Sequence, residues 1–230
     1  MHNNSRVRIF LIGFNRCGTT SFHQFFQSNQ IASVHWYGNE LARCLHRNCR
    51  LPFVAPLQSI DRWTAYGDLI AVPGTPWESS TPYRGPLIEA NRFFPQLHRA
   101  YPNSLFVLNT RDPQAWIASR LQHDQGRFAE VYRRAVADQG ISTDHQLTAL
   151  WLEQWHDHHQ AVRRYFHAHP DASFLEFHLG RSDPGPLMDH LARHHPLQCT
   201  SFPHVHRSTD PVSSDPISSD PINSAADQRP

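Results

Sequence analysis

The sequence predicts a three-layer α/β domain with a mostly parallel central sheet flanked by helices. Three observations carry that expectation. Short runs rich in β-branched and aromatic residues recur along the chain: "VRIFLI", "NSLFVLNT" and "ASFLEFHL". Segments with helical periodicity separate them. The two loops richest in polar, chemistry-bearing residues follow directly on the first two runs. Strands alternating with helices fold as a sheet covered on both faces, and such sheets bind ligands beyond the carboxyl ends of their strands.

Residues 7–12 are a buried strand by their unbroken apolar character. In "TTSFHQFFQSN" the i, i+3, i+4 spacing of Phe22, Phe25 and Phe26 marks one helix face. "IASVHW" is a second strand, and "NELARCLHRNC" a helix with Leu41 and Leu45 one turn apart. Residues 52–87 are rich in Pro, Gly and Trp and predict a short strand near Trp63–Leu69 followed by a long loop. "LIEANRFFPQLHRAYP" predicts a helix interrupted by Pro95. After the strand "NSLFVLNT", Asp112 as N-cap and Pro113 at the first helical position start the helix "QAWIASRLQH". The longest helix covers "STDHQLTALWLEQWHDHHQAVRRYFHAH", with Leu147, Leu150, Trp151 and Trp155 as its apolar stripe. "ASFLEFHL" is the last strand and "GPLMDHLARHH" a closing helix.

With 230 residues the chain suits one domain with an appendage, placed at 1–207 and 208–230. The second piece repeats Ser-Asp-Pro and cannot bury a core, so it is expected to be disordered. The apolar fraction of 39% is low, but 14 Phe and six Trp suffice for a core outside that tail. A formal net charge of +1 disfavours a nucleic-acid partner. The four cysteines form no CxxC pair, which argues against a zinc knuckle or disulfide scaffold and for a reducing compartment. No apolar run reaches the roughly 18 residues of a membrane span. A soluble, cytoplasmic protein is expected.

The loop "GFNRCGTTS" stands where a strand enters a helix. Unpaired N–H groups and the positive dipole end of a helix favour an anion there. Gly13 and Gly18 permit close backbone approach, and Thr19, Thr20 and Ser21 add hydroxyls. An ordinary capped turn is the alternative. The Gly13–Gly18 spacing equals that of a Walker A loop, but Thr19 takes the place of its lysine and Arg16 stands upstream.

"FNRCGTTS" resembles the 5′-phosphosulfate loop of sulfotransferases that use 3′-phosphoadenosine 5′-phosphosulfate (PAPS). "LFVLNTRDPQAWIASR" is similar to that family's 3′-phosphate segment, with Arg111 after the strand and Ser119 eight residues beyond it. "SFPHVHRS" resembles a closing segment of one branch, with His206 in place of the usual Asn. The resemblance spans about residues 7–208. It implies a P-loop-like fold and in-line transfer of a sulfuryl group from PAPS to a hydroxyl on a small molecule, glycan or lipid. The product is 3′-phosphoadenosine 5′-phosphate (PAP), and no metal is required. It implies donor contacts from Arg16, Cys17, Gly18, Thr19, Thr20, Ser21, Arg111, Ser119 and, more loosely, Arg207.

Arg16 would stabilise the leaving phosphate, and a general base would take the acceptor proton. His35, at the end of the second strand, and Asp68, in "AYGDLIAVP", are both candidates for that base, with Glu40 and Glu89 outside them. The stretch from Pro73 to Pro86, with Trp77 and Tyr83, is a candidate acceptor wall. The "EQWHDHHQ" cluster holds His156, His159 and Glu153 but lacks the order of a zinc protease, and a polar helix face explains it. Cys17 is expected to contribute its backbone rather than thiol chemistry. Two rival readings remain: a P-loop kinase, and a relative that binds nucleotide without turnover.

Overall fold

A computed structural model describes residues 7–74 and 83–203. Five parallel strands form the central sheet, in the order β2 (Ser33–His35), β3 (Ala65–Gly67), β1 (Ile9–Leu11), β6 (Leu105–Thr110), β7 (Phe174–His178). β1 lies between β3 and β6, with Phe10 level with Tyr66 on one side and Phe106 on the other. The chain builds the sheet outward from β1, first to one edge and then to the other.

Strand side chains alternate between faces, and the core divides accordingly. Ile9, Leu11, Leu105 and Val107 face α1 (Thr19–Ser28) and α7 (Gly185–Ala192). Phe22, Phe25 and Phe26 of α1 are all buried there, as their spacing predicts. Phe10, Ile12, Tyr66, Phe106 and Leu108 face α2 (Glu40–Asn48), α3 (Phe94–Ala100) and the last turns of α6 (Asp144–His167). These are the expected three layers.

A third apolar cluster sits beyond the carboxyl ends of the strands. It joins Phe14 to Trp116 of α4 (Pro113–Gln122), Phe128 and Tyr132 of α5 (Arg127–Ala135), and Leu147, Trp151 and Trp155 of α6. This cluster is the platform on which the two polar loops rest.

Several elements differ from expectation, α5 among them, which the sequence reading did not anticipate. The segment around residues 63–93 is not one strand and a long loop followed by a helix. After β3 the chain makes β4 (Ile70–Ala71), which pairs antiparallel with β5 (Ile88–Glu89). A 3-10 turn at Ala90–Phe93 then leads into α3, where Pro95 lies in the first turn. Proline needs no hydrogen-bond partner at that position, so it starts the helix instead of interrupting it. Asp112 caps α4 as expected, its Oδ1 accepting from the N–H of Ala115 at 3.0 Å.

His159 is not on a polar face. The stripe of Leu147, Trp151 and Trp155 continues into His158, His159, Val162 and Phe166, all buried. The Nδ1–H of His159 donates to Trp155 O at 2.8 Å, and its Nε2 accepts from Thr110 Oγ1 at 2.8 Å. His158 Nε2–H donates to Ile12 O at 2.7 Å. The pair therefore braces the last residues before both polar loops. Among the described residues, no group of three or more His, Cys, Asp or Glu is placed to hold a metal ion, and no helix is long and apolar enough to cross a membrane.

Candidate active site

The first polar loop leaves β1 at Gly13, where backbone meets backbone. A Cβ there would lie 1.9 Å from Asn109 O, so only glycine fits. The Gly13 N–H donates to Asn109 Oδ1 at 2.9 Å, and Asn109 Nδ2 donates to Cys17 O at 3.1 Å. One buried amide at the end of β6 thus spans the loop from its start to the residue before Gly18. Arg16 takes a left-handed conformation, φ 64°, and Gly18 another, φ 77°. Gly18 is the N-cap of α1 and no side chain caps this helix start, in contrast to α4 and α6.

Arg16 and the second loop meet here across 95–103 residues of chain. Arg16 Nε donates to Ser119 Oγ at 3.1 Å, and Arg111 Nη1 donates to Arg16 O at 3.3 Å. Neither arginine forms an ion pair with a carboxylate among the described residues. Burial pulls the Arg16 guanidinium below its ordinary pKa; Asp68 opposes that shift and Arg111 adds to it. Two neighbouring cations at an uncapped helix start make a site that an anion would stabilise.

His35 and Asp68 stand across from the loop. Sheet register brings them together, because His35 is level with Gly67, the residue before Asp68. Asp68 turns off β3 at φ 57°. His35 Nε2 lies 3.4 Å from Asp68 Oδ2 and 3.0 Å from Thr19 Oγ1. Donation from Nε2–H to Asp68 would leave Nδ1 as the acceptor of the ring. Asp68 Oδ1 is buried with no hydrogen-bond partner among the described residues.

These groups line one cavity of about 690 Å3 at the carboxyl end of the sheet. Arg16, Thr19, Thr20, His35 and Asp68 are on its wall. Of the other sequence candidates, Cys17 is fully buried in the third cluster, and its thiol is pushed up to about 12 by desolvation. Such burial disfavours a thiolate. Ser21 is buried and does not line the cavity. Arg111 and Ser119 stand behind Arg16 rather than on the cavity wall.

Glu40 pairs with Arg43 on α2, and Glu89 is buried against Arg120 at 3.0 Å. Neither faces the cavity. Tyr83 lies by Arg43, also away from it. Arg207 and Trp77 are outside the described residues.

Sequence reasoning missed three parts of this site. His123, just after α4, lines the cavity, and burial holds its pKa at about 4. Arg120 is fully buried, with Phe14, Trp116, Phe128, Tyr132 and Trp151 around its guanidinium at 4.4–5.5 Å. It donates through Nε to Asn15 Oδ1 at 2.8 Å and so fixes the loop from beneath. Its place four residues after buried Trp116, on the same helix face, was the available signal. The third part is a smaller hollow of about 350 Å3 beyond β7, walled by Leu179, Arg181, Ser182 and Thr200. It adjoins the loop, since a Cβ on Gly18 would meet Leu179 at 3.0 Å.

No curated protein matches the chain. Residues 88–136 match a family model described as a sulfotransferase domain. The matched segment runs from β5 into the end of α5 and takes in Arg111, Ser119 and His123. The first loop lies outside it. The match implies a sulfuryl donor and an acceptor of unspecified kind. With Arg111 and Ser119 inside it, the match supports the chain's place in a sulfotransferase family.

Proposed function

We propose that the protein transfers a sulfuryl group from PAPS to an acceptor hydroxyl by in-line displacement. The observation that carries this reading is the convergence of Arg16, Arg111 and Ser119 at the uncapped start of α1. A 5′-phosphosulfate suits the open N–H groups of α1 and the Arg16 guanidinium. A 3′-phosphate suits Arg111 and Ser119, which a nucleotide lacking that group would leave unused. Cys17 and Gly18 offer backbone N–H groups to the donor, and Thr19 and Thr20 offer hydroxyls. Ser21, being buried, offers at most its backbone. The nucleoside extends toward the hollow by Arg181 and Ser182.

In the reaction, the acceptor oxygen attacks sulfur as the bond from sulfur to the 5′-phosphate oxygen breaks. PAP leaves with the bonding electrons, and Arg16 and the start of α1 stabilise its growing charge. The acceptor proton passes to the His35–Asp68 pair. Either His35 Nδ1 or the Asp68 carboxylate has an open acceptor for it, with the other group orienting or balancing the charge.

Thermal unfolding with PAP, AMP and Mg-ATP tests the donor site. A ligand at about 100 times its Kd stabilises by about 2.7 kcal/mol. Stabilisation by PAP alone, lost in Arg16→Ala and Arg111→Ala, is the expected result. A preference for Mg-ATP would move the reading to a kinase. PAP binding without transfer to any acceptor would make the protein a nucleotide-binding relative.

A further inference from the structure

The 690 Å3 cavity has two chemically different ends. The end formed by Arg16, Thr19, His35 and Asp68 is the polar one described above. The other is walled by Trp36, Ile70, Val72, Phe128 and Val131. Residues 70–72 and one face of α5 build this apolar wall. Ile70 and Val72 belong to the third cluster, while Ala71 between them joins the core against α2 and α3. Phe128 and Val131, three residues apart on α5, present one face to the same space.

The two sides nearly touch at the far end, where a Cβ on Gly74 would meet Val131 Cγ1 at 3.6 Å. Gln122, Asp124, Gln125 and Arg127 also line the cavity and are solvent-exposed. The remaining polar group is His123. Its ring makes no hydrogen bond among the described residues and is neutral at pH 7.

We propose that this wall is the acceptor subsite and that it takes a hydroxyl carried on a compact apolar body, aryl or alkyl, in preference to a sugar. The inference rests on the sulfuryl-transfer reading above. A sugar placed against this wall would give up hydrogen bonds to water on the face it presents and gain none from the five apolar side chains. An apolar alcohol loses only apolar hydration there, and its single hydroxyl is carried toward His35 and Asp68. The volume fits this, since pockets of about 300–1,000 Å3 enclose one small molecule, not a chain of sugars.

The test pairs transfer with donor binding. Initial rates are measured with PAPS and 2-naphthol, 1-octanol, glucose or maltose. The same measurements are made on Val131→Asp and the near-isosteric Val131→Thr, with the PAP-induced shift in Tm recorded for each protein. Turnover of 2-naphthol or 1-octanol well above both sugars is expected. Val131→Asp should raise KM for that alcohol at least tenfold and Val131→Thr about threefold, with the PAP shift unchanged. The two alcohols separate an aromatic metabolite from a lipid alcohol as the source.

Preferred turnover of a sugar would overturn the inference. So would an unchanged KM in both variants, or PAP binding with no turnover of either alcohol. In each of these cases the donor reading stands. A protein whose Tm does not respond to PAP would overturn both.

Discussion

Gly13 and the His35–Asp68 pair show how much single atoms decide in this site. Gly13→Ala drives a methyl group into Asn109 O, and neither backbone can yield without parting β1 from β6. It should cost about 2–4 kcal/mol, read as a lower midpoint in urea unfolding. Asp68→Asn and His35→Gln keep the shape of the pair but remove a proton acceptor. We expect kcat to fall by about 10²–10⁴ for the residue that takes the proton, with the PAP-induced shift in Tm retained in both. If neither variant loses activity, the base lies elsewhere. At this scale the sequence was informative where spacing carries meaning. Gly13, Arg16, Arg111 and Ser119 sit at fixed offsets from strands. His123 has no such offset; it enters the cavity only because the chain turns through three successive left-handed residues, Asp124 to Gly126.

Among the elements, α4 ties the two loops together. Its N-terminus carries Asp112 after Arg111, its middle places Ser119 against Arg16, and its last turn sends Arg120 under Asn15. Arg120→Met would keep much of the packing but leave Glu89 buried without its cation. Breaking such a buried pair costs about 3–5 kcal/mol, and the variant should also weaken PAP binding because Asn15 loses its anchor. A melting curve together with a PAP titration checks both. A destabilised protein with unaltered PAP affinity would show that the loop holds its shape without Arg120.

The principal strands and α4 were legible from apolar runs and a cap. The β4–β5 pair was not, because strands of two residues have too few positions to show alternation. α5 had its signal in Phe128, Val131 and Tyr132 at i, i+3, i+4. The basic residues among them give the segment the look of a surface loop.

For the whole molecule, the histidines matter most. Burial lowers the pKa of His123, His158 and His159 from 6.5 to about 4. Above pH 6.5 both folded and unfolded chains hold these rings neutral. As pH falls below 6.5 the unfolded chain takes up protons that the folded chain refuses until about pH 4. Stability is therefore lost across that window. Urea unfolding at pH 7.5 and 5.0 should give a clearly lower midpoint at 5.0, and His158→Gln should flatten the difference. His158 and His159 brace Ile12 and Thr110, so acid should weaken PAP binding in the same range. The sheet and its layers could be read from the chain because burial follows local periodicity. That two adjacent histidines would be interior could not, since helix α6 is covered on more of its circumference than one apolar stripe predicts.

The aromatic platform has an optical consequence. The Trp116 ring lies 4.7 Å from that of Trp155 and 6.2 Å from that of Trp151 between centroids, and Trp116 Nε1 donates to Asn15 O at 2.9 Å. Half of the six indoles in the chain are therefore packed in one asymmetric array whose hinge is the anion loop itself. Any tightening of that loop around a ligand reorients Trp116 relative to its neighbours. The array should make near-ultraviolet circular dichroism an intrinsic, label-free gauge of whether the loop is open or closed.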